Sequence, residues 1–327
     1  VMPERRSTLF RPASLNDYKH AQPSAVELGG GLIMQANLQR IVSWLQTAQT
    51  CSYSPEGIWA AEPTALTCLA LAASGEEQAA LRLVQQLSRV QTNLGSVPVM
   101  EEQDTPAWTT SLAILAWLAC ENFRTQSFAA NIDRAVAWTL STHGKPADPN
   151  PEVGHDPSIP GWSWAENTHS WLEPTAMFAI ALKAAGFENH ARTRAAIRLV
   201  TDRLLPEGGS NYGSTLVLGQ ATLPQIQSTG LSLLALANEA NTDPRIEKSL
   251  HYVEQNLSEQ TSTASLCYGL LGLTAHDRRP PQAEALLAGA GERELERGPS
   301  AYKLALLALA SFSDTSWLPT RSEVAHA

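Results

Sequence analysis

The chain has 327 residues, of which 43% are hydrophobic, and 23 Lys and Arg stand against 32 Asp and Glu for a net charge of −9. That apolar fraction excludes bulk disorder and supports a sizeable core within a length that suits one large domain. The acidic balance excludes a nucleic-acid partner, which needs a basic face to neutralise phosphates.

The opening VMPERRSTLFRPASLNDYKH carries no apolar signal core. No apolar run reaches the roughly 18 residues of a membrane span. A cytoplasmic chain is expected, with peripheral membrane contact left open. Cys51, Cys68, Cys120 and Cys267 lie far apart without a C-x-x-C pair. They read as reduced core thiols.

Residues 1–31 read as an N-terminal extension, 32–312 as one helical domain and 313–327 as a C-terminal tail. Within the domain two kinds of segment alternate. The first kind is one-sided: Leu38, Ile41, Val42 and Leu45 fall at i, i+3, i+4 and i+7. Ala80, Leu83, Val84 and Leu87 repeat the pattern, as do Ile132, Ala135 and Val136, then Ile197, Val200 and Leu204, then Ile246, Leu250, Val253 and Leu257. A weaker version runs through Ala283, Leu286 and Leu287.

The second kind is small and apolar all round. EPTALTCLALAASG from Glu62 has a near copy in EPTAMFAIALKAAG from Glu173. The Thr after the proline marks further copies, giving Thr64, Thr110, Thr175, Thr229, Thr263 and Ser300, spaced 34 to 65 residues apart. Pro63, Pro174 and Pro299 each precede a marker, where a first-turn proline has no N–H to lose. Thr242-Asp243-Pro244 reads as a cap and first turn of an amphipathic helix.

One-sided helices belong on an outer layer, and helices apolar all round must be buried on most sides. Six such pairs predict an all-α fold, an α6/α6 toroid, with inner helices starting near Glu62, Thr109, Glu173, Ser228, Ser262 and Pro299. An open solenoid would need polar caps at both ends, and the unequal spacings with long inserted loops favour a closed ring.

WLQTAQTCSYSPEGIWAAEPTALTCLALAA, GWSWAENTHSWLEPTAMFAIALKAAG and RLLPEGGSNYGSTLVLGQ resemble prenyltransferase/squalene-cyclase repeats, over about residues 35 to 310. The resemblance implies a terpenoid-cyclase-like or prenyltransferase-like toroid. The D-x-D-D motif of class II cyclases and the D-D-x-x-D motif of class I synthases are both absent. Glu62 and Glu173 stand where the resemblance places the proton-donating Asp. The positions matching a protein prenyltransferase's zinc ligands are Glu173, Thr175 and Ser265, with neither Cys nor His. Zinc-dependent protein prenylation is therefore excluded. The same lack of Cys and His ligands tells against a lanthionine-type cyclase.

Glu62 and Glu173 are thus the catalytic candidates. Against that reading, each carboxylate sits at a helix start, where it neutralises the dipole and is favoured in its ionised form. The insertion over 143–172 holds Trp162, Trp164, Trp171 and His169, candidates for a lid that touches ligand, and Tyr212 joins them from the following loop. The same insertion also reads as a tryptophan-stapled structural loop. His155 and His169, with Asp156 or Glu166, have too little spacing information to argue a metal, and neither metal nor cofactor is expected. PEGGSNYGSTLVLGQ reads as a structural turn, and EEQD at 101–104 as a solvated loop. The leading expectation is a small isoprenoid-like or lipidic ligand in an apolar cavity, with non-standard cyclase catalysis left open. The alternative is a non-catalytic interaction module with a protein partner. A third is a carbohydrate-active toroid with carboxylates at its mouth. A deep dry cavity favours the first, a filled centre the second and a shallow polar groove the third.

Overall fold

The structure is a computed structural model that describes residues 25–121, 123, 127–240 and 242–321. The expected N-terminal extension up to residue 24, and residues 322–327 of the expected tail, lie outside the described residues. Six amphipathic helices form an outer layer: α1 (Ala25–Thr47), α3 (Glu77–Val90), α5 (Ala129–Ser141), α7 (Ala191–Asp202), α9 (Pro244–Asn256) and α11 (Ala283–Glu296). Between them run the inner helices α2 (Ala61–Ala73), α4 (Thr110–Glu121), α6 (Leu172–Ala184), α8 (Ile226–Leu236), α10 (Thr263–Thr274) and α12 (Ala301–Ala310). The only sheet among the described residues is a short hairpin of β1 (Leu216–Val217) and β2 (Gln220–Ala221).

The two helix types have the fates their patterns require. On α3 only Ala79 and the stripe of Ala80, Leu83, Val84 and Leu87 are buried. On α2 every residue from Ala61 to Leu71 is buried. Successive inner helices pack side by side, and α12 closes onto α2, so the chain forms a ring rather than an open solenoid. Closure is reinforced where Tyr302 N–H donates to the Ser52 carbonyl (3.3 Å) and where Asn37 on α1 donates to the Ala288 carbonyl on α11 (3.2 Å).

Glycine allows the tightest inner contact. A Cβ on Gly230 of α8 would strike the Tyr268 carbonyl of α10, and one on Gly272 would strike the Gly230 backbone in return. Asp243 caps α9 by accepting from Arg245 N–H at 2.9 Å, ahead of Pro244. The four cysteines are free and buried, with Cys68 and Cys120 in thiol contact at 3.6 Å between α2 and α4.

The marker threonines have a common task. Thr110, Thr175 and Thr229 each accept a hydrogen bond from a backbone N–H of the loop that feeds their own helix, from Val97 (2.8 Å), Trp162 (2.9 Å) and Ser210 (2.9 Å). The Thr64, Thr110 and Thr229 hydroxyls donate to carbonyls three or four residues back in the first turn, each at 2.7 Å. The hydroxyl buckles an irregular loop to a helix start, and these buried polar groups would otherwise go unpaired.

The centre of the ring is filled. Leu66, Leu112, Leu231, Leu271 and Leu306, from five of the six inner helices, meet Ile180 of the sixth around a space of about 30 Å³. Such a space has room for little more than a water molecule, and its lining is almost wholly apolar, with Tyr268 and Trp317 among the aliphatic side chains. Among the described residues the ring axis therefore holds no roomy apolar chamber of the kind expected for a lipidic ligand, because branched side chains from opposite helices meet across it. The segment expected as a C-terminal tail closes the far end: Trp317 is buried against this centre, and Arg321 N–H donates to the Ala184 carbonyl at 2.8 Å. No helix among the described residues is long and apolar enough to cross a membrane.

Candidate functional site at the mouth of the ring

Every inner helix starts at one end of the ring, where each outer helix finishes. That end is the mouth. The segments 91–109 and 142–171 arrive there, as do the loops ahead of α2 and α8. The dipoles of the inner helices converge on it with their positive ends.

Glu62 in the first turn of α2 and Glu173 in the first turn of α6 are both buried. Tyr53 donates its phenol to Glu62 Oε2 at 2.6 Å, and Ser228 on α8 donates to Glu173 Oε1 at 2.8 Å. Helix ends and hydroxyl donors favour the ionised carboxylate, whereas burial favours the neutral acid. Burial prevails at both sites. It pushes the Glu62 carboxyl up to about 7, with the Glu173 charge adding to the effect and the Tyr53 hydrogen bond opposing it. Glu173 is raised as well, by burial against the Ser228 hydrogen bond.

Two further phenols share this environment. Burial raises Tyr268 and Tyr302, and the charges of Glu62 and Glu173 raise both further. Tyr302 also lies 5.2 Å from Tyr53, ring to ring. The mouth thus brings together two carboxyls raised by burial and three neutral phenols from α2, α6, α10, α12 and the loop before α2. The sequence does not single out Tyr53, Tyr268 or Tyr302, and marks Ser228 only as a helix start. Tyr53 stands nine residues before Glu62, which is a usable local signal. Ser228 and the two helical tyrosines carry none, because a helix buried all round does not declare which face points along the ring axis.

The insertion before α6 is held by two glycines at close approaches. Gly144 donates to the Gly161 carbonyl (2.9 Å), and side chains on these glycines would collide with Ser170 and Thr175 respectively. Trp162, expected to contact ligand, is buried at the back of a cleft and staples the insertion to its neighbours. It is 2% exposed, its indole N–H donates to the Thr139 carbonyl at 3.1 Å, and Phe178 of α6 lies 5.0 Å away. Arg192 of α7 places its guanidinium 4.2 Å from the same indole. Trp164 is half-buried and meets Trp108 edge to face at 4.7 Å. With Trp138 these two rings line a cleft of about 280 Å³ whose rim carries His143, Ser163 and Glu166.

Trp171 is half-buried and stacks on the exposed His169, 4.4 Å between centroids. Tyr212 is exposed, and its carbonyl accepts from Leu172 N–H (3.0 Å) at the start of α6. Its loop is a structural turn in which Gly209 and Ser210 donate to Ser249 and Thr229. His155 is lowered to about 4, chiefly by burial and then by the nearby Arg203, so its imidazole is neutral. Among the described residues no three His, Cys, Asp or Glu side chains group as metal ligands do. The EEQD loop is exposed throughout. The large apolar side chains exposed among the described residues are Tyr53, Ile58, Leu94, Tyr212, Val217, Leu218 and Leu223, in the connections from outer to inner helices and their short hairpin, and Ile33 on α1.

No family model matches the chain, and no curated protein matches it in sequence. Solved structures do match its architecture. A type II terpene cyclase, MstE from Scytonema in complex with merosterolic acid A, aligns with a TM-score of 0.58 at 14% identity, covering 89% of this chain and 99% of that one. An α-amylase from Clostridium perfringens aligns at 0.57 and 9% identity, covering 85% and 96%. A GH8 protein from Teredinibacter turnerae in complex with xylobiose aligns at 0.57 and 10% identity, covering 91% and 98%. At these identities the likeness establishes the shared α/α toroid fold, which carries different activities in different proteins.

Proposed function

We propose that the ring mouth is an acid–base site acting on a carbohydrate laid across it, with Glu62 as the proton donor and Glu173 as the second carboxyl. The observation that carries this reading is the buried pair itself: two carboxyls from different inner helices, both raised by burial, with Glu62 at about 7. Titratable groups displaced in this way cluster at functional sites, and a general acid works best with a pKa near the operating pH. A carboxyl held near neutrality suits protonation of a glycosidic oxygen, and a pair of carboxyls is what glycoside hydrolysis uses. It is a poor donor to an alkene, which demands a stronger acid. The filled ring centre also leaves no chamber for a folded isoprenoid. The glycosidases and the xylobiose-bound GH8 protein that share the fold are consistent with this choice.

A second reading, an isoprenoid-like ligand lying on the mouth face rather than inside the ring, draws on the exposed Ile58, Tyr212, Val217, Leu218 and Leu223. The terpene cyclase neighbour and the repeat resemblance favour it. The two readings separate in one assay. The protein is incubated with xylo-, cello- and malto-oligosaccharides and, separately, with linear isoprenoid substrates, and products are identified by mass spectrometry. Cleavage of an oligosaccharide that disappears in Glu62→Gln supports the carbohydrate reading. Product from an isoprenoid alone replaces it with the second. No product from either class removes both, and leaves a non-catalytic interaction module.

A further inference from the structure

We infer that the cleft walled by Trp108, Trp138 and Trp164 is a sugar-binding subsite that holds a neutral pyranoside ring beside the mouth. This inference rests on the carbohydrate reading of the mouth. The three indoles come from separate elements: Trp108 just ahead of α4, Trp138 in the last turns of α5, and Trp164 in the insertion before α6. All three are half-buried, so each keeps an accessible surface although Trp162 behind them does not. Trp108 and Trp164 stand at 87° to each other and form a corner rather than a stack. A pyranose offers a face of C–H groups that complements the electron-rich face of an indole, and an equatorial rim of hydroxyls. A corner of two indoles accommodates the face and leaves the rim to polar neighbours.

Those polar neighbours are present. Ser163, Glu166 and Asn167 line the cleft, and their side chains have no protein hydrogen-bond partner among the described residues. His143 uses Nδ1 toward the Gly144 carbonyl and keeps Nε2 for another contact. A small set of convergent polar groups on an aromatic wall is the usual make-up of a ligand pocket. About 280 Å³ suits a mono- or disaccharide rather than a long chain.

The two charges at the cleft, Arg192 behind it and Glu166 on its rim, are opposite in sign and favour neither a cation nor an anion. A quaternary ammonium would seek the indole faces, but Arg192 already sits against Trp162 behind the cleft and donates to the Thr142 carbonyl at 2.7 Å and to the Pro160 and Gly161 carbonyls at 3.3 Å. Its fixed positive charge repels a second cation. An anion would meet Glu166 on the rim. An isoprenoid would offer Ser163, Glu166 and Asn167 no hydrogen bond. A neutral polyhydroxylated ring conflicts with none of these.

The test uses the full chain and three probes, xylobiose, cellobiose and maltose, titrated by calorimetry and by tryptophan fluorescence, with tetramethylammonium and farnesol as competing probes. Turnover is suppressed with Glu62→Gln, which leaves the cleft intact. Binding of at least one disaccharide is expected, and Trp164→Ala should weaken it by about tenfold, the scale of one aromatic contact. Ile33→Ala, on α1 and outside the cleft, should bind as before. Because Trp164→Ala disturbs the packing of Trp108, Asn167→Gly on the exposed rim provides a second variant; the φ of 61° at this position is one that glycine adopts freely, so weaker binding is expected with a nearly unchanged melting temperature. Disaccharide binding that survives both cleft variants, or binding of tetramethylammonium or farnesol in place of any disaccharide, overturns the assignment. Binding that depends on Trp164 in a wild-type protein that cleaves nothing upholds the cleft and rejects the catalytic reading. Cleavage with an unaltered KM in both cleft variants does the reverse.

Discussion

Ser228 on α8 donates to Glu173 on α6 at 2.8 Å, so one carboxyl of the mouth is also a tie between neighbouring inner helices. Its counterpart Glu62 is held by Tyr53, a residue of the entering loop rather than of the ring. The same side-chain type at equivalent helix starts therefore has a rigid partner in one case and a more exposed one in the other. In the proposed site that asymmetry favours Glu62 over Glu173 as the proton donor.

Glu173→Gln keeps an acceptor for Ser228 and removes the charge. Burial holds the Glu173 carboxyl above its ordinary value, so its charged form weakens the fold and the variant should melt at or above the wild-type temperature at pH 8. If the mouth is catalytic, product formation is lost while melting is retained. A purely structural Glu173 leaves turnover intact and changes stability by about 1 kcal/mol or less.

Glu62 should make stability depend on pH. Its folded value of about 7 lies above the ordinary 4.5, so its contribution is fully present below about pH 4.5 and is lost as pH rises through 7. The loss amounts to at most about 3 kcal/mol, read from urea denaturation at pH 5 and pH 8. Glu62→Gln should flatten that difference. Tyr53→Phe removes a donor that favours the carboxylate, and should carry the alkaline fall in turnover to higher pH.

Thr175→Val preserves shape but leaves the Trp162 N–H without its acceptor, and Thr229→Val does the same to Ser210. Each should cost about 1–3 kcal/mol in chemical denaturation. A cost near zero for both would show that the marker threonines are not what fastens loops to helix starts.

Leu306→Ala should open the filled centre. The expected cost is about 2–5 kcal/mol, and the enlarged apolar space should take up benzene, raising the melting temperature of the variant but not of the wild type. Absence of that differential effect would mean that neighbouring leucines collapse into the gap.

Much of the fold is written in local pattern. Leu83, Val84 and Leu87 declare a one-sided helix, and Ala65 to Leu71 declare one with no solvent face, because periodicity depends only on which residues share a helix side. The start of α9 at Asp243-Pro244 is legible for a similar reason, since a cap and a first-turn proline act within a few residues. Glu62 and Glu173 could be placed at helix starts, but not their protonation. That depends on burial and on Tyr53, Ser228 and each other, and Ser228 stands 55 residues from Glu173.

Only the tertiary structure decided what the ring encloses. Whether six inner helices leave a chamber or a filled axis depends on how leucines from opposite sides meet, a distance that no helical pattern encodes. The tryptophans were sorted by the same kind of contact. Trp162 was drawn into the wall by Arg192 and Phe178, whereas Trp164 met Trp108, some 56 residues earlier in the chain, at the edge of a cleft. Composition and period determine which residues must leave water. Which of them meet, and what space remains between them, is settled by packing at a range the linear chain does not contain.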